Sequence, residues 1–152
     1  MPENSPVRKF WKCPSCQRIF KARNQWHSCR KVEEEVPLKK SSPEVLKMYQ
    51  EVKKFCASLG KVHTSITINA IFIKCPSTFV ALKPGKNWLD VEFFTLAEET
   101  GFPVFKSVRV SKNRWACKIR YEGEKEIWSE IKKYIRESYK IVQKKRPLRA
   151  GD

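Results

Sequence analysis

Cys13, Cys16, His27 and Cys29 stand within one stretch that reads KCPSCQRIFKARNQWHSC. Three thiols and one imidazole make a complete donor set for a single tetrahedral zinc ion. Cys13 and Cys16 are two residues apart, the usual reach of two thiolates on one metal. His27 and Cys29 form the second pair. Lys12, Arg18, Lys21, Arg23 and Arg30 surround them. Their charge favours thiolate over thiol and offsets the negative charge of a three-thiolate centre. Phe20 and Trp26 lie between the pairs and offer a small apolar core, with Phe10 and Trp11 just before. A segment of about 30 residues cannot bury enough surface to fold alone. A bound metal overcomes this, because its binding free energy becomes folding free energy.

Two other chemistries use clustered cysteines. A redox Cys-x-x-Cys pair normally opens a helix in a βαβ unit, a pattern this chain lacks. Iron–sulfur clusters are held by cysteines, and a lone histidine fits them less well. The reading is therefore one zinc ion on Cys13, Cys16, His27 and Cys29. His63, the other histidine of the chain, is the alternative fourth ligand. Residues two apart do not share a helix face, so a turn or helix end is expected around His27 and Cys29. That excludes the long recognition helix of DNA-reading fingers. Cys56, Cys75 and Cys117 fall on apolar faces and read as small core residues.

Catalytic patterns are sparse. Asp90 and Glu92 in WLDVEFF, near Lys83 and Lys86, could serve a divalent metal in a nuclease. The plainer reading is a strand with Leu89, Val91 and Phe93 inward and both carboxylates on the polar side. No glycine-rich phosphate cradle and no nucleophile elbow is present. A cysteine nucleophile would have His63 as its one candidate base outside the finger. No catalytic residue is assigned, and the reading leans away from an enzyme.

The elements that must position these residues follow from pattern. Residues 1–31 form the zinc-finger-like module and 32–42 a linker, within the stretch KVEEEVPLKKSSP that switches charge sign twice and contains Pro37 and Pro43. Residues 43–143 form an α+β domain and 144–152 a basic tail. A helix should start at Ser41 or Ser42, with Pro43 in its first turn and Ser41 with Glu44 at capping-box spacing. Val45, Tyr49, Val52, Cys56 and Leu59 make its apolar face, and Gly60 is placed to end it. Between Val62 and Tyr121 six segments read as strands: HTSITI, AIFIKC, FVALK, WLDVEFFTL, VFKSVRV and RWACKIRY. The short turns CPST, PGKN and TGFP between them predict an antiparallel meander of five to six strands. A last helix runs from about Gly123 to Val142, burying Ile127, Ile131, Tyr134, Ile135, Ser138 and Val142 with Trp128 at the flank. The two helices should cover one face of the sheet, giving a helix–sheet–helix sandwich.

Charge speaks to partners. The 152 residues carry 32 Lys and Arg against 16 Asp and Glu, a net charge of +16. Such an excess favours a polyanion, nucleic acid before anionic membrane. Lys132, Arg136 and Lys140 step by four along the last helix toward Lys144, Lys145, Arg146 and Arg149. With Arg18, Lys21, Arg23 and Arg30 of the finger they are the candidate phosphate contacts, independent of base sequence. The tip Lys83-Pro84-Gly85-Lys86 adds a third patch. Glu126, Glu130 and Glu137 on the same helix fit a simple solvated face equally well. No apolar run approaches the ~20 residues of a membrane span, and the N-terminus lacks a signal peptide's apolar core. The expectation is a cytoplasmic protein with reduced cysteines.

Trp11, Cys13, Pro14, Cys16, Phe20, Asn24, Gln25, His27 and Cys29, followed by a helix–sheet–helix body, resemble a family of small, mostly bacterial proteins described as a domain of unknown function (DUF5655). Phe79-Val80-Ala81, Trp88-Leu89-Asp90 and the helical IRESYKIV are also similar to it. The resemblance implies a zinc-finger-like module on an α+β domain and no established reaction. This chain departs from the pattern at Ile68-Asn69-Ala70, where the family often has basic residues. It departs again at Trp115-Ala116-Cys117-Lys118, where the family often has histidines. Three functions stay open. The first is a non-enzymatic, zinc-containing module that contacts nucleic acid. The second is a small-ligand or enzymatic body with the finger as a structural cap. The third is a protein-interaction adaptor using Phe10 and Trp11.

Overall fold

The computed structural model describes residues 10–14, 19–26 and 33–144. Two short strands, β1 (Trp11–Lys12) and β2 (Ile19–Phe20), pair antiparallel as a small hairpin. The body is α+β: helix α1 (Pro43–Ala57), strands β3 (His63–Ile66), β4 (Ile71–Lys74), β5 (Thr78–Pro84), β6 (Leu89–Thr95), β7 (Val104–Ser111) and β8 (Arg114–Tyr121), then helix α2 (Lys125–Lys144). The six strands of the body form one antiparallel sheet, in the order β3-β4-β5-β6-β8-β7.

That order breaks the expected meander at its last step. β8 inserts beside β6, and β7 is displaced to the edge. The strand compositions explain the exchange. β8 carries Cys117, Ile119 and Tyr121 on one face, all buried, and needs neighbours on both sides. Most of β7 is exposed, with Lys106 and Arg109 among its residues, which suits an edge. The connection from Leu96 to Pro103 is long enough to carry the chain past the space that β8 fills.

Period-two alternation sorts the sheet into two faces. Ile71, Ile73, Val80, Leu82, Leu89, Val91, Phe93, Cys117, Ile119 and Tyr121 share the inner face and are buried. Both helices lie against it. Tyr134 of α2 stacks on Phe93 at 4.6 Å, and Trp128 stacks on Tyr121 at 5.6 Å. Ile127, Ile131, Ile135, Ser138 and Val142 are buried as the helical spacing predicts, while Tyr134 is half-buried. From α1, Val45, Met48, Tyr49, Val52 and Cys56 complete the core. A fully buried aliphatic or aromatic side chain contributes about 1.5–3 kcal/mol, so this inner face dominates stability.

One irregularity has a clear cause. The β4–β5 register slips after Ile73, leaving Phe79 as an extra residue, and Phe79 and Val80 are both buried. The buried Ser138 hydroxyl donates to the Phe79 carbonyl (2.7 Å) and accepts from the Phe94 N–H (2.9 Å). One helix serine thus ties β5 to β6 just beyond their last paired residues, Val80 and Phe93. Phe79 itself packs edge-on against Tyr139 at 5.2 Å.

The start of α1 differs in detail from the capping box expected at Ser41 and Glu44. Ser42 is the N-cap and its Oγ accepts from Val45 N. Ser41 Oγ donates instead to Gly85 O at 2.8 Å, and Ser42 N donates to Lys86 O at 2.9 Å. The hairpin tip at Gly85 is therefore fastened to the helix start. α1 ends at Ala57 with Ser58 as its C-cap, so Leu59 lies past the helix. Gly60 also has a different role from the one expected. A Cβ there would sit 2.4 Å from Tyr139 Oη, so the glycine is needed for close approach to α2.

Before α1, Leu38 is buried in the core. Glu34 accepts from Tyr49 Oη and, at 2.6 Å, from Lys53 Nζ. Burial works to raise the Glu34 pKa, but these two partners prevail and hold it below the ordinary value. Burial and the Glu34 carboxylate push the Tyr49 hydroxyl up.

Candidate functional site

Of the four proposed metal ligands, Cys13 is described; Cys16, His27 and Cys29 lie outside the described residues, as do Arg18 and Arg30. Cys13 is buried and directly follows β1. Trp11 pairs across the hairpin with Phe20, their rings 5.9 Å apart, and Lys12 pairs with Ile19. Cys13 and Pro14 therefore lie just past β1, at the start of the connection to β2. Trp11 is half-buried rather than free, and Phe10 is 39 % exposed. After β2, Ala22 O accepts from Gln25 N, and Asn24 takes a left-handed backbone with φ of 53°. Residues 21–24 are bends and turns, and none of residues 21–26 is helical. Lys21 and Arg23 are exposed on them, and Trp26 is exposed rather than packed as a core residue. Lys74 on β4 places its ammonium 5.5 Å from the Phe20 ring, which joins hairpin and body. Among the described residues no cluster of three His, Cys, Asp or Glu side chains could hold a metal ion. His63 is exposed at the start of β3, across from Lys74.

The other cysteines are packing groups. Cys56 and Cys117 are fully buried and Cys75 is half-buried. Burial alone pushes the Cys56 thiol up to about 12, so it stays protonated at neutral pH. Cys117 Sγ lies 3.4 Å from both Thr95 Oγ1 and Ser107 Oγ.

The predicted helix cations form a ridge. Lys132, Arg136 and Lys140 succeed one another on α2, each step about 6 Å. Lys132 Nζ sits 5.6 Å from the Trp128 ring, and Arg136 Cζ sits 5.2 Å from the Phe55 ring. Phe55 and Trp128 pack edge to face at 5.9 Å, so both cations rest on the seam between α1 and α2. Glu130 pairs with Lys133 instead, at 3.3 Å. None of the three ridge cations forms an ion pair among the described residues.

Of the candidate carboxylates, Asp90 is paired with Arg120. Asp90 accepts two hydrogen bonds from Arg120, at 2.9 and 3.1 Å. This bidentate contact raises the Arg120 pKa. Glu92 shares that face, across from Lys118. Leu89, Val91 and Phe93 are buried, as the alternation predicts.

Arg114, Arg120, Phe94 and Phe105 were given no role from sequence, and Trp88 entered only through the family resemblance, yet they form two groups on the outer face of the sheet. Arg114 Cζ lies 5.0 Å from the Phe94 ring; Arg120 Cζ lies 4.3 Å from Trp88 and 5.4 Å from Phe105. The signal available was the period-two run Arg114, Ala116, Lys118, Arg120. Their aromatic partners come from other strands and turns, which only the register reveals.

A family model described as a domain of unknown function (DUF5655) matches residues 33–142. The chain belongs to this family. The DUF5655 match spans the helix–sheet–helix body and leaves the cysteine segment outside it. No curated protein and no solved structure matches the chain. No described helix is long and apolar enough to cross a membrane.

Proposed function

We propose that this DUF5655 protein is a non-catalytic, cytoplasmic nucleic-acid-binding module carrying one zinc-stabilised finger. The α2 ridge carries the reading. Lys132, Arg136 and Lys140 are one helical turn apart and, among the described residues, without carboxylate partners, and two of them are steadied on aromatic rings. Cations held in place lose less freedom on meeting phosphates, and their spacing lets each reach a different phosphate. Lys21 and Arg23 of the hairpin, with Arg18 and Arg30, would add contacts of the same kind. All of these bind backbone, so affinity would depend on salt and hardly on sequence.

Cys13, Cys16, His27 and Cys29 would hold the zinc ion, which would have a purely structural task. The hairpin placement of Cys13 and its burial favour this donor set.

Titrating the full chain against a labelled DNA duplex over a salt series tests the binding. The logarithm of affinity should fall with log salt by about 0.9 for each phosphate contact. Replacing Lys132, Arg136 and Lys140 together by Gln should flatten the slope by about 2 to 3 units. No binding to DNA or RNA at low salt would remove the proposal. Metal analysis of the purified chain should find one zinc per chain, lost in Cys13→Ser. A folded hairpin without metal would remove the zinc site.

A further inference from the structure

The sheet face turned away from the helices has a composition of its own. Across β5 to β8 the register places Lys83, Asp90 and Arg120 in one row, and Ala81, Glu92, Lys118 and Lys106 in the next. Phe94, Ala116 and Val108 form a third row, followed by Arg114 with Ser111. Asp90 and Arg120 neutralise each other. That leaves Lys83, Lys106, Lys118 and Arg114 against Glu92. The apolar groups among them are flat or small, and Phe105 (52 % exposed) and Val108 (47 %) are open to solvent. Arg114 covers Phe94 with its guanidinium, and Arg120 is held by Asp90 beside Trp88 and Phe105. Beside this face, Phe102, Phe105, Arg120 and Ile127 border an open cleft of about 490 Å³. Glu122 and Glu124 also line it, and their charge disfavours a phosphate there.

We infer that this outer face, from β6 across β8 to β7, is a stacking platform for single-stranded nucleic acid. Bases stack on flat aromatic or guanidinium surfaces, here the Arg114–Phe94 pair and Phe105, while Lys106 and Lys118 meet the phosphates. A duplex cannot use such a surface, because its bases are already stacked and paired. Charge complementarity selects the polyanion and the aromatics select its single-stranded form. The inference rests on the reading of the protein as a nucleic-acid binder. It names a second surface, separate from the α2 ridge, and the strand state that surface takes.

The test titrates the full chain with labelled single-stranded oligothymidine, oligouridine and a DNA duplex of equal length, at fixed salt. Phe105→Ala with Arg114→Ala should weaken binding of single strands at least tenfold and leave duplex binding within twofold. The Lys132, Arg136 and Lys140 triple Gln variant should weaken all three. Both changed outer-face side chains are at least partly exposed, and circular dichroism checks the fold; Lys106→Glu with Lys118→Glu is a second variant that alters only charge. Equal binding of single strands by wild type and both outer-face variants overturns the platform, while salt-dependent duplex binding keeps the ridge. Absence of all nucleic-acid binding overturns both. The two single strands distinguish DNA from RNA.

Discussion

The two faces of the central sheet are built from the same strands and differ in almost every physical respect. The inner face is an apolar surface under two helices, and the buried Ser138 of α2 both donates and accepts a hydrogen bond against it. The outer face is a lattice of cations, aromatics and one bidentate ion pair, partly open to solvent. Burial makes the first face the source of stability. Exposure makes the second face energetically tolerant, and therefore available for recognition. Charged residues can accumulate there because water still solvates them.

Mutations can break or sharpen this contrast. Phe93→Ala on the inner face removes a fully buried ring and its stacking with Tyr134, and should cost about 3–5 kcal/mol in denaturant unfolding. Ser138→Ala leaves the Phe79 carbonyl and the Phe94 N–H without their partner, and should cost about 1–3 kcal/mol. Asp90→Ala on the outer face should cost at most about 1 kcal/mol in the same assay, because Arg120 is substantially exposed. A loss there as large as that of Phe93→Ala would abolish the distinction between the faces. The smallest effect concerns the edge of the helix layer. Glu34 has a lowered folded pKa, so its contribution is complete above the ordinary glutamate value. It is lost as pH falls through the folded value. Stability of the wild type should therefore decline more steeply on the acid side of about pH 4.3 than that of Glu34→Gln.

Much of the body was legible in advance because its signals are local. The faces of α1 and α2 follow from the 3.6-residue repeat, and the six strands from period two and turn residues. The Asp90–Glu92 pair reads correctly as the polar side of a strand. Ser41 and Gly60 misled for one reason: each has a partner distant in sequence, Gly85 for the serine and Tyr139 for the glycine. The meander failed similarly. Local turn chemistry predicts hairpins, but burial of Cys117, Ile119 and Tyr121 draws β8 inward past β7.

By itself, the sequence determined the α+β class, the element order, the cationic excess and the spacing of the N-terminal cysteines and histidine. Each depends on residue type and near-neighbour spacing. Tertiary structure alone decided the strand order, the Ser138 tie across the Phe79 bulge and the meeting of Arg114 with Phe94 and of Arg120 with Asp90, Trp88 and Phe105. Those pairings join residues far apart in the chain. They exist because the inner face must be buried, and burying it fixes the register that assembles the outer one.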